Sequence, residues 1–173
     1  FKCILNQIRT NAGEIKLFGK PVGENITRIA YVPQKDEVDW QFPATVMDIV
    51  LMGRYPHKKW YQWINKEDKE KARAALEQLN KTHYGDRQIG EISGGQQQRV
   101  FLARALCQEA DIFLMDEPFV GVDVRTEQRM IKILKQLASE GKTILVVHHD
   151  LDSVQTYFDK VIMINQKLRI LDI

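Results

Sequence analysis

Residues 93–118 read SGGQQQRVFLARALCQEADIFLMDEP, from Ser93 to Pro118. Ser93 and Gln96 have the spacing of a capping box, so a helix starts here. The two glycines let a ligand come close to the backbone at the helix mouth. Free N–H groups and the positive end of the helix dipole favour an anion there, above all a phosphate. Apolar residues recur at helical spacing through Val100, Leu102, Ala103 and Leu106. Ile112–Met115 is a short apolar run suited to a buried strand. It ends in Asp116-Glu117-Pro118, two carboxylates at the tip of a strand, where α/β sheets bind ligands. Capping boxes and acidic turns are each common alone; their combination across one helix and one strand is specific.

The joint pattern resembles the signature motif and Walker B motif of the ATP-binding-cassette (ABC) ATPases, and the resemblance extends over nearly the whole chain. It implies an α/β fold: a P-loop-NTPase-like, mostly parallel sheet with a helical subdomain spanning roughly residues 36–106. The 173 residues make one domain. The composition, 44% hydrophobic and 28% charged, is that of an ordinary globular protein. A net charge of +2 gives no strong pull toward nucleic acid or anionic lipid. Cys3 and Cys107 lack metal-ligand spacing and read as reduced, buried thiols. No apolar run approaches the roughly 18–20 residues of a membrane-spanning helix, and no cleavable signal is present.

Upstream of the motif, Phe1–Ile8 reads as the middle of an amphipathic helix with neither methionine nor cap, and the final residues stop in strand-like sequence. Both ends read as cut, so the expectation is a fragment of a longer domain. Glu14–Phe18 and Arg28–Pro33 read as strands. Thr45–Met52 reads as a helix stopped by Gly53. Residues 55–65 are irregular and rich in aromatics and lysine. Lys66–Asn80 is a charged helix with i, i+4 pairs such as Glu67–Lys71. After the carboxylates, Thr126–Ser139 is an amphipathic helix closed by Gly141, with Met130, Ile131, Leu134 and Leu137 on one stripe. Thr143–Val147 reads as a buried strand, Leu151–Phe158 as a short helix, and 160–165 with 167–171 as a pair of strands. Alternating strands and helices imply parallel pairing.

The resemblance assigns roles residue by residue. Asp116 matches the Walker B aspartate, a hard ligand for Mg²⁺. Glu117 matches the glutamate that polarises the attacking water. Gln34 matches the Q-loop glutamine, which serves the metal and begins the segment that senses the membrane partner. Ser93, Gly94, Gly95 and Gln96 match the signature that caps the γ-phosphate of a nucleotide held by a second subunit. Asp123 matches the D-loop aspartate at the same interface; a helix N-cap before Thr126 is an equal and compatible reading. His149 matches the switch histidine. Adjacent histidines on extended chain point to opposite sides, so the two cannot easily share one metal ion, and His148 is left as a packing or subfamily residue. His57 and His83 read as exposed loop residues.

There is no P-loop. Gly141-Lys142-Thr143 lacks the required glycine, since Gln136 stands in its place, and it joins helix to strand in the wrong order. The first strand and P-loop of the fold are therefore expected to be missing from this chain, which alone would be inactive. Ile92 and Phe119 depart from the commonest residues at their motif positions. The strings Asp39–Pro43, Met52–Tyr55, Asp116–Phe119 and Val147–Leu151 resemble ATPase subunits of importers for manganese, zinc or iron. The implied function is ATP binding and hydrolysis powering such an importer, with ATP and Mg²⁺ as cofactors. The implied partners are a second copy of the subunit, an integral membrane permease and, indirectly, a substrate-binding protein, with no nucleic acid. The implied location is cytoplasmic, peripheral on the inner face of the plasma membrane. Two alternatives stay open: a truncated, non-catalytic remnant, and a soluble ATPase of DNA repair or translation. Trp40, Phe42 and Tyr55 beside Arg54 suit a permease interface, or Trp40 and Phe42 pack inward.

Overall fold

The computed structural model describes residues 1–79, 84–150, 154, 156–165 and 167–172. His83, the last residue of the helix expected to reach Asn80, and half of the helix expected over Leu151–Phe158 lie outside the described residues.

Three parallel strands carry the architecture, in the order β3 (Ile29–Val32), β4 (Ile112–Asp116), β5 (Thr143–Val147). Register pairs Val32 with Met115 and Asp116 with Val147, so all three strands end at one edge. The central strand is the most apolar, and Phe113, Leu114 and Met115 are fully buried. β5 was expected to be buried but is only half so, with Thr143 and Val147 exposed. Among the described residues it pairs on one side only, with β4. Helix α4 (Val124–Ser139) contributes Met130, Ile131 and Leu134 to the core, the stripe its periodicity predicts. β6 (Lys160–Asn165) and β7 (Lys167–Asp172) form an antiparallel pair of their own.

Three helices pack on one another beside the sheet: α1 (Val46–Leu51), α2 (Lys66–Gln78) and α3 (Gly94–Cys107). Their starts are set locally. Thr45 Oγ1 accepts from the Asp48 N–H at 3.1 Å while Asp48 accepts from the Thr45 N–H at 2.9 Å. Asn65 and Asp68 form the same reciprocal box at 2.9 Å in both directions. Each box satisfies donors that a helix start leaves without partners.

At the opening the expected helix is absent. Phe1–Ile8 makes one turn, with the Leu5 N–H on the Phe1 carbonyl at 3.0 Å, and then Asn6 turns to φ +56°. A left-handed residue cannot continue a right-handed helix, and Asn is among the few that tolerate it. The expected strand Glu14–Phe18 shortens to β1 (Lys16–Leu17), which pairs with β2 (Lys20–Pro21). Phe18 and Gly19 join them at φ +53° and +77°, the conformation a tight two-residue hairpin demands. The thiols divide: Cys107 is buried and pushed up to about 11 by that burial, whereas Cys3 is exposed. Exposed His57 brings Nε2 to 2.6 Å from the Gln108 carbonyl.

Gly53 does not stop a helix. The chain runs on from α1 into a 3₁₀ segment, Met52–His57, in which Gly53 is buried against α3. A β-carbon there would collide with the Arg104 carbonyl and meet the Gln108 nitrogen at 3.2 Å, both backbone atoms that cannot swing aside. Gly53→Ala should therefore destabilise the fold by about 1–3 kcal/mol, the usual cost of overpacking. Urea denaturation checks this; an unchanged midpoint would mean that α3 gives way freely.

Next to it, Arg54 is buried rather than presented at the surface. Its Nε donates to Asp68 Oδ1 at 3.1 Å and its Nη1 to Glu109 Oε2 at 2.9 Å and to the Cys107 carbonyl at 2.8 Å. Lys58 also pairs with Asp68, and Lys71 with Glu109 at 2.7 Å. Burial opposes ionisation of Asp68, but the Asn65 N–H, Lys58 and Arg54 outweigh it and hold the carboxyl at about 2. Among the described residues no helix is long and apolar enough to cross a membrane.

Candidate active site

The parallel register brings three loops together beyond the ends of β3, β4 and β5, at the edge where open α/β sheets bind ligands. Gln34 follows β3, Glu117 follows β4, and His149 follows β5. Gln34 Nε2 donates to Glu117 Oε2 at 3.1 Å. His149 Nδ1 stands 3.5 Å from Glu117 Oε1. Glu117 thus has a partner on each carboxylate oxygen. Its backbone sits at φ +47°, and its N–H donates to the Val147 carbonyl at 3.2 Å. A non-glycine residue in that region stores about 1–3 kcal/mol of strain, and the contact to the end of β5 holds it there.

Asp116, the last residue of β4, is half-buried. Burial raises its carboxyl above the usual range, and the negative charges of Glu37 and Glu117 push the same way. Its oxygens therefore suit a hard divalent cation, which would relieve both effects. Glu37, in the 3₁₀ turn Lys35–Glu37 that follows Gln34, is drawn in by the Tyr31 hydroxyl at 3.2 Å and by Lys2 at 2.8 Å. Burial first, then Glu37, pushes the Tyr31 phenol up to about 12. Nothing local in the sequence ties Lys2, Tyr31 and Glu37 together; folding the opening turn back over β3 does.

The signature residues form a second cluster. Gln96 Oε1 accepts from the Ser93 N–H at 3.0 Å, and its Nε2 donates to the Tyr84 hydroxyl at 3.2 Å. The side chain of Lys35, the residue after Gln34, lies where a Gly94 β-carbon would point. A β-carbon on Gly95 would stand 3.1 Å from the Gly121 carbonyl and 3.7 Å from Val122 Cα. The Gly121 carbonyl leaves little room for a side chain at Gly95, whereas the flexible end of Lys35 could swing aside for one at Gly94. Just beyond that turn Asp123 caps α4, accepting from the Thr126 N–H at 3.0 Å and from its hydroxyl at 2.7 Å. These two bonds, hydroxyl first, hold its carboxyl below the usual range.

The adjacent histidines part company. His148 packs 5.7 Å from both Phe119 and Phe158, while exposed His149 turns to Glu117. Among the described residues no group of three or more His, Cys, Asp or Glu could hold a metal ion.

A third feature lies beside α1 and α2. A groove of about 920 Å³ is lined by Phe42, Leu51, Met52, Tyr55, Trp60 and Trp63, among others. Trp60 and Trp63 are 97% and 91% exposed, and Phe42 and Tyr55 are also exposed. Trp40 instead packs edge-on against Phe101 at 5.3 Å and donates Nε1 to the Lys35 carbonyl at 2.9 Å. The signal for Trp60 and Trp63 was present: closely spaced aromatics in a stretch with neither helical nor strand period have no face on which to be buried.

The sequence profile of the family described as ABC transporter matches residues 1–120. The chain belongs to the ABC transporter family. It is 51% identical over 167 residues to the zinc transport system ATP-binding protein TroB of Treponema pallidum, covering 96% of this chain and 63% of that protein. It is 49% identical over 156 residues to the manganese transport system ATP-binding protein MntB of Halalkalibacterium halodurans, covering 90% of this chain and 62% of that one. The chain therefore spans less than two thirds of the length of these two relatives. A solved inward-facing transporter of putative metal-chelate type matches with TM-score 0.75 and 30% identity over 83% of this chain and 57% of its own. A nucleotide-free cassette matches with TM-score 0.76 and 27% identity, over 92% and 68%. The fold is that of an ABC ATPase cassette.

Proposed function

We propose that this cassette belongs to the ATP-binding and ATP-hydrolysing subunit of a membrane importer for a transition metal such as manganese, zinc or iron. The observation that carries the reading is the convergence of Gln34 and His149 on Glu117 at the ligand-binding edge of the sheet. Glu117 polarises the attacking water as general base. His149, 3.5 Å from Glu117 Oε1, would contact the γ-phosphate of bound ATP. Asp116, with Gln34, holds Mg²⁺, which neutralises phosphate charge when bound. Ser93, Gly94, Gly95 and Gln96 cap the γ-phosphate of ATP held by a second copy, and Asp123 lies at that interface. Residues 36–106 act as the helical subdomain. The relatives' names for zinc and manganese support the choice of substrate.

In this reading the subunit is peripheral on the inner face of the plasma membrane and docks through its groove. A concave surface with exposed aromatic anchors suits an apolar helix of the permease, and a substrate-binding protein completes the importer outside. The test is ATP-dependent metal uptake by vesicles holding the complete transporter, with Mn²⁺, Zn²⁺ and Fe²⁺ supplied separately. Uptake of one of them supports the reading; ATP hydrolysis with no uptake of any would overturn it.

Replacing Trp60 and Trp63 together by Ala should weaken permease association at least about tenfold, the scale of aromatic hot spots, while leaving the fold intact because neither ring is buried. Co-purification from membranes measures it. Retention at the wild-type level would remove the groove from the interface.

A further inference from the structure

The 3₁₀ segment Met52–His57 stands between the groove and α3. Met52 and Tyr55 line the groove. Between them, Gly53 and Arg54 are buried toward α3. The Arg54 guanidinium reaches the first turn of α2 at Asp68, the last residue of α3 at the Cys107 carbonyl, and Glu109 just beyond it. A carbonyl at a helix C-terminus lacks an intrahelical partner and carries the negative end of the dipole. A buried guanidinium there makes a strong, directional contact. Glu109 itself sits at φ +53°, a conformation costly for a non-glycine residue and held by Arg54 and Lys71.

The far end of α3 is the Ser93–Gly95 mouth. The helix has 14 residues, about 21 Å at roughly 1.5 Å per residue. It is buried along most of its length, and a packed helix is a rigid element that can carry a displacement from end to end. A load on Met52 or Tyr55 would bear on the Arg54 backbone between them, and the Arg54 guanidinium is bonded to the C-terminal end of α3. We propose that Arg54 is a positioning residue that couples occupancy of the groove to the placement of the signature mouth. This rests on the reading that a permease helix fills the groove. Arginine suits the task because one planar fork holds partners on two helices at once, which a lysine ammonium cannot match.

The experiment compares ATPase rates of the complete subunit, alone and with its permease in lipid nanodiscs, for wild type, Arg54→Lys and Glu109→Gln. Glu109→Gln removes only the charge of the half-exposed partner at the α3 end, and serves if Arg54→Lys proves unfolded by thermal melting. Arg54→Lys should bind the permease normally and keep its permease-free rate within about twofold, yet lose at least about fivefold of the permease's effect on that rate, the lower end of usual coupling. Glu109→Gln should shift the same way by less. An undiminished permease effect in both variants would overturn the proposal, as would equal losses with and without permease, which mark a purely structural ion pair. If Trp60→Ala with Trp63→Ala still binds permease fully, the docking reading fails and this proposal falls with it.

Discussion

In the complete ATPase, Glu117→Gln keeps ATP bound and lowers phosphate release by about 10²–10⁴, the usual contribution of a positioned general base. The amide retains the size of the carboxylate and, with Gln34 turned to present its oxygen to the new NH2, can keep a partner on each side, but it cannot take a proton from water. Gln34 and His149 each touch a different oxygen of Glu117, at 3.1 and 3.5 Å, so the geometry should survive the exchange. On the proposed mechanism, in which two copies close over ATP before hydrolysis, the variant should accumulate as an ATP-bound dimer. Steady-state phosphate release with size-exclusion chromatography in ATP measures both. Release within about twofold of wild type, far from the expected loss, would take the base role away from Glu117.

Asp68→Asn should destabilise the chain by about 3–5 kcal/mol, the cost of breaking a buried ion pair from one side. Asparagine can keep the capping contacts to Asn65 through its oxygen and its own N–H, but it loses the charge and turns an NH2 donor toward Arg54 Nε in place of an acceptor. Arg54 and Lys58 are left in a buried place with one carboxylate, Glu109, between them and Lys71. For a domain of this size each kcal/mol is worth about 2–4 °C, so the melting temperature should fall by roughly 6–20 °C. The pH dependence follows from the direction of the shift. The folded carboxyl is held at about 2, below its unfolded value of about 3.9. Its contribution is complete above the unfolded value and fades as pH falls from about 4 to about 2. The gap between wild type and variant should therefore narrow over that window, as urea titrations at several pH values would reveal. A gap that is small at neutral pH would mean that water relaxes the network.

Reading residues 93–118 alone established more of this protein than any other stretch. A capping spacing, two glycines, a helical period, an apolar run and two carboxylates are local features, and local features are what a sequence displays directly. Helix α3, strand β4 and the N-terminal boundaries set by Thr45 and Asn65 follow from propensity and capping that act within four residues. Alternation along an extended chain likewise says that His148 and His149 point apart, but the choice of His149 came from the resemblance. Family resemblance then named Gln34, Glu117 and His149 together, although they lie up to 115 positions apart in the 173-residue chain.

Contacts over that separation are decided by the sheet. Parallel register places the ends of three strands at one edge, and only then does Glu117 meet both Gln34 and His149. Tertiary packing also reversed local expectations. Asn6 breaks a turn that hydrophobic spacing would have continued. Gly53 serves a backbone crossing with α3 instead of a helix end. Arg54 has the composition of a surface anchor, but buried acceptors on α2 and around the end of α3 draw it inward. Trp60 and Trp63 remain outside because the core is complete without them. Each reversal has one cause: the free energy of a side chain depends on which surfaces arrive beside it, and distant segments of the chain supply those surfaces.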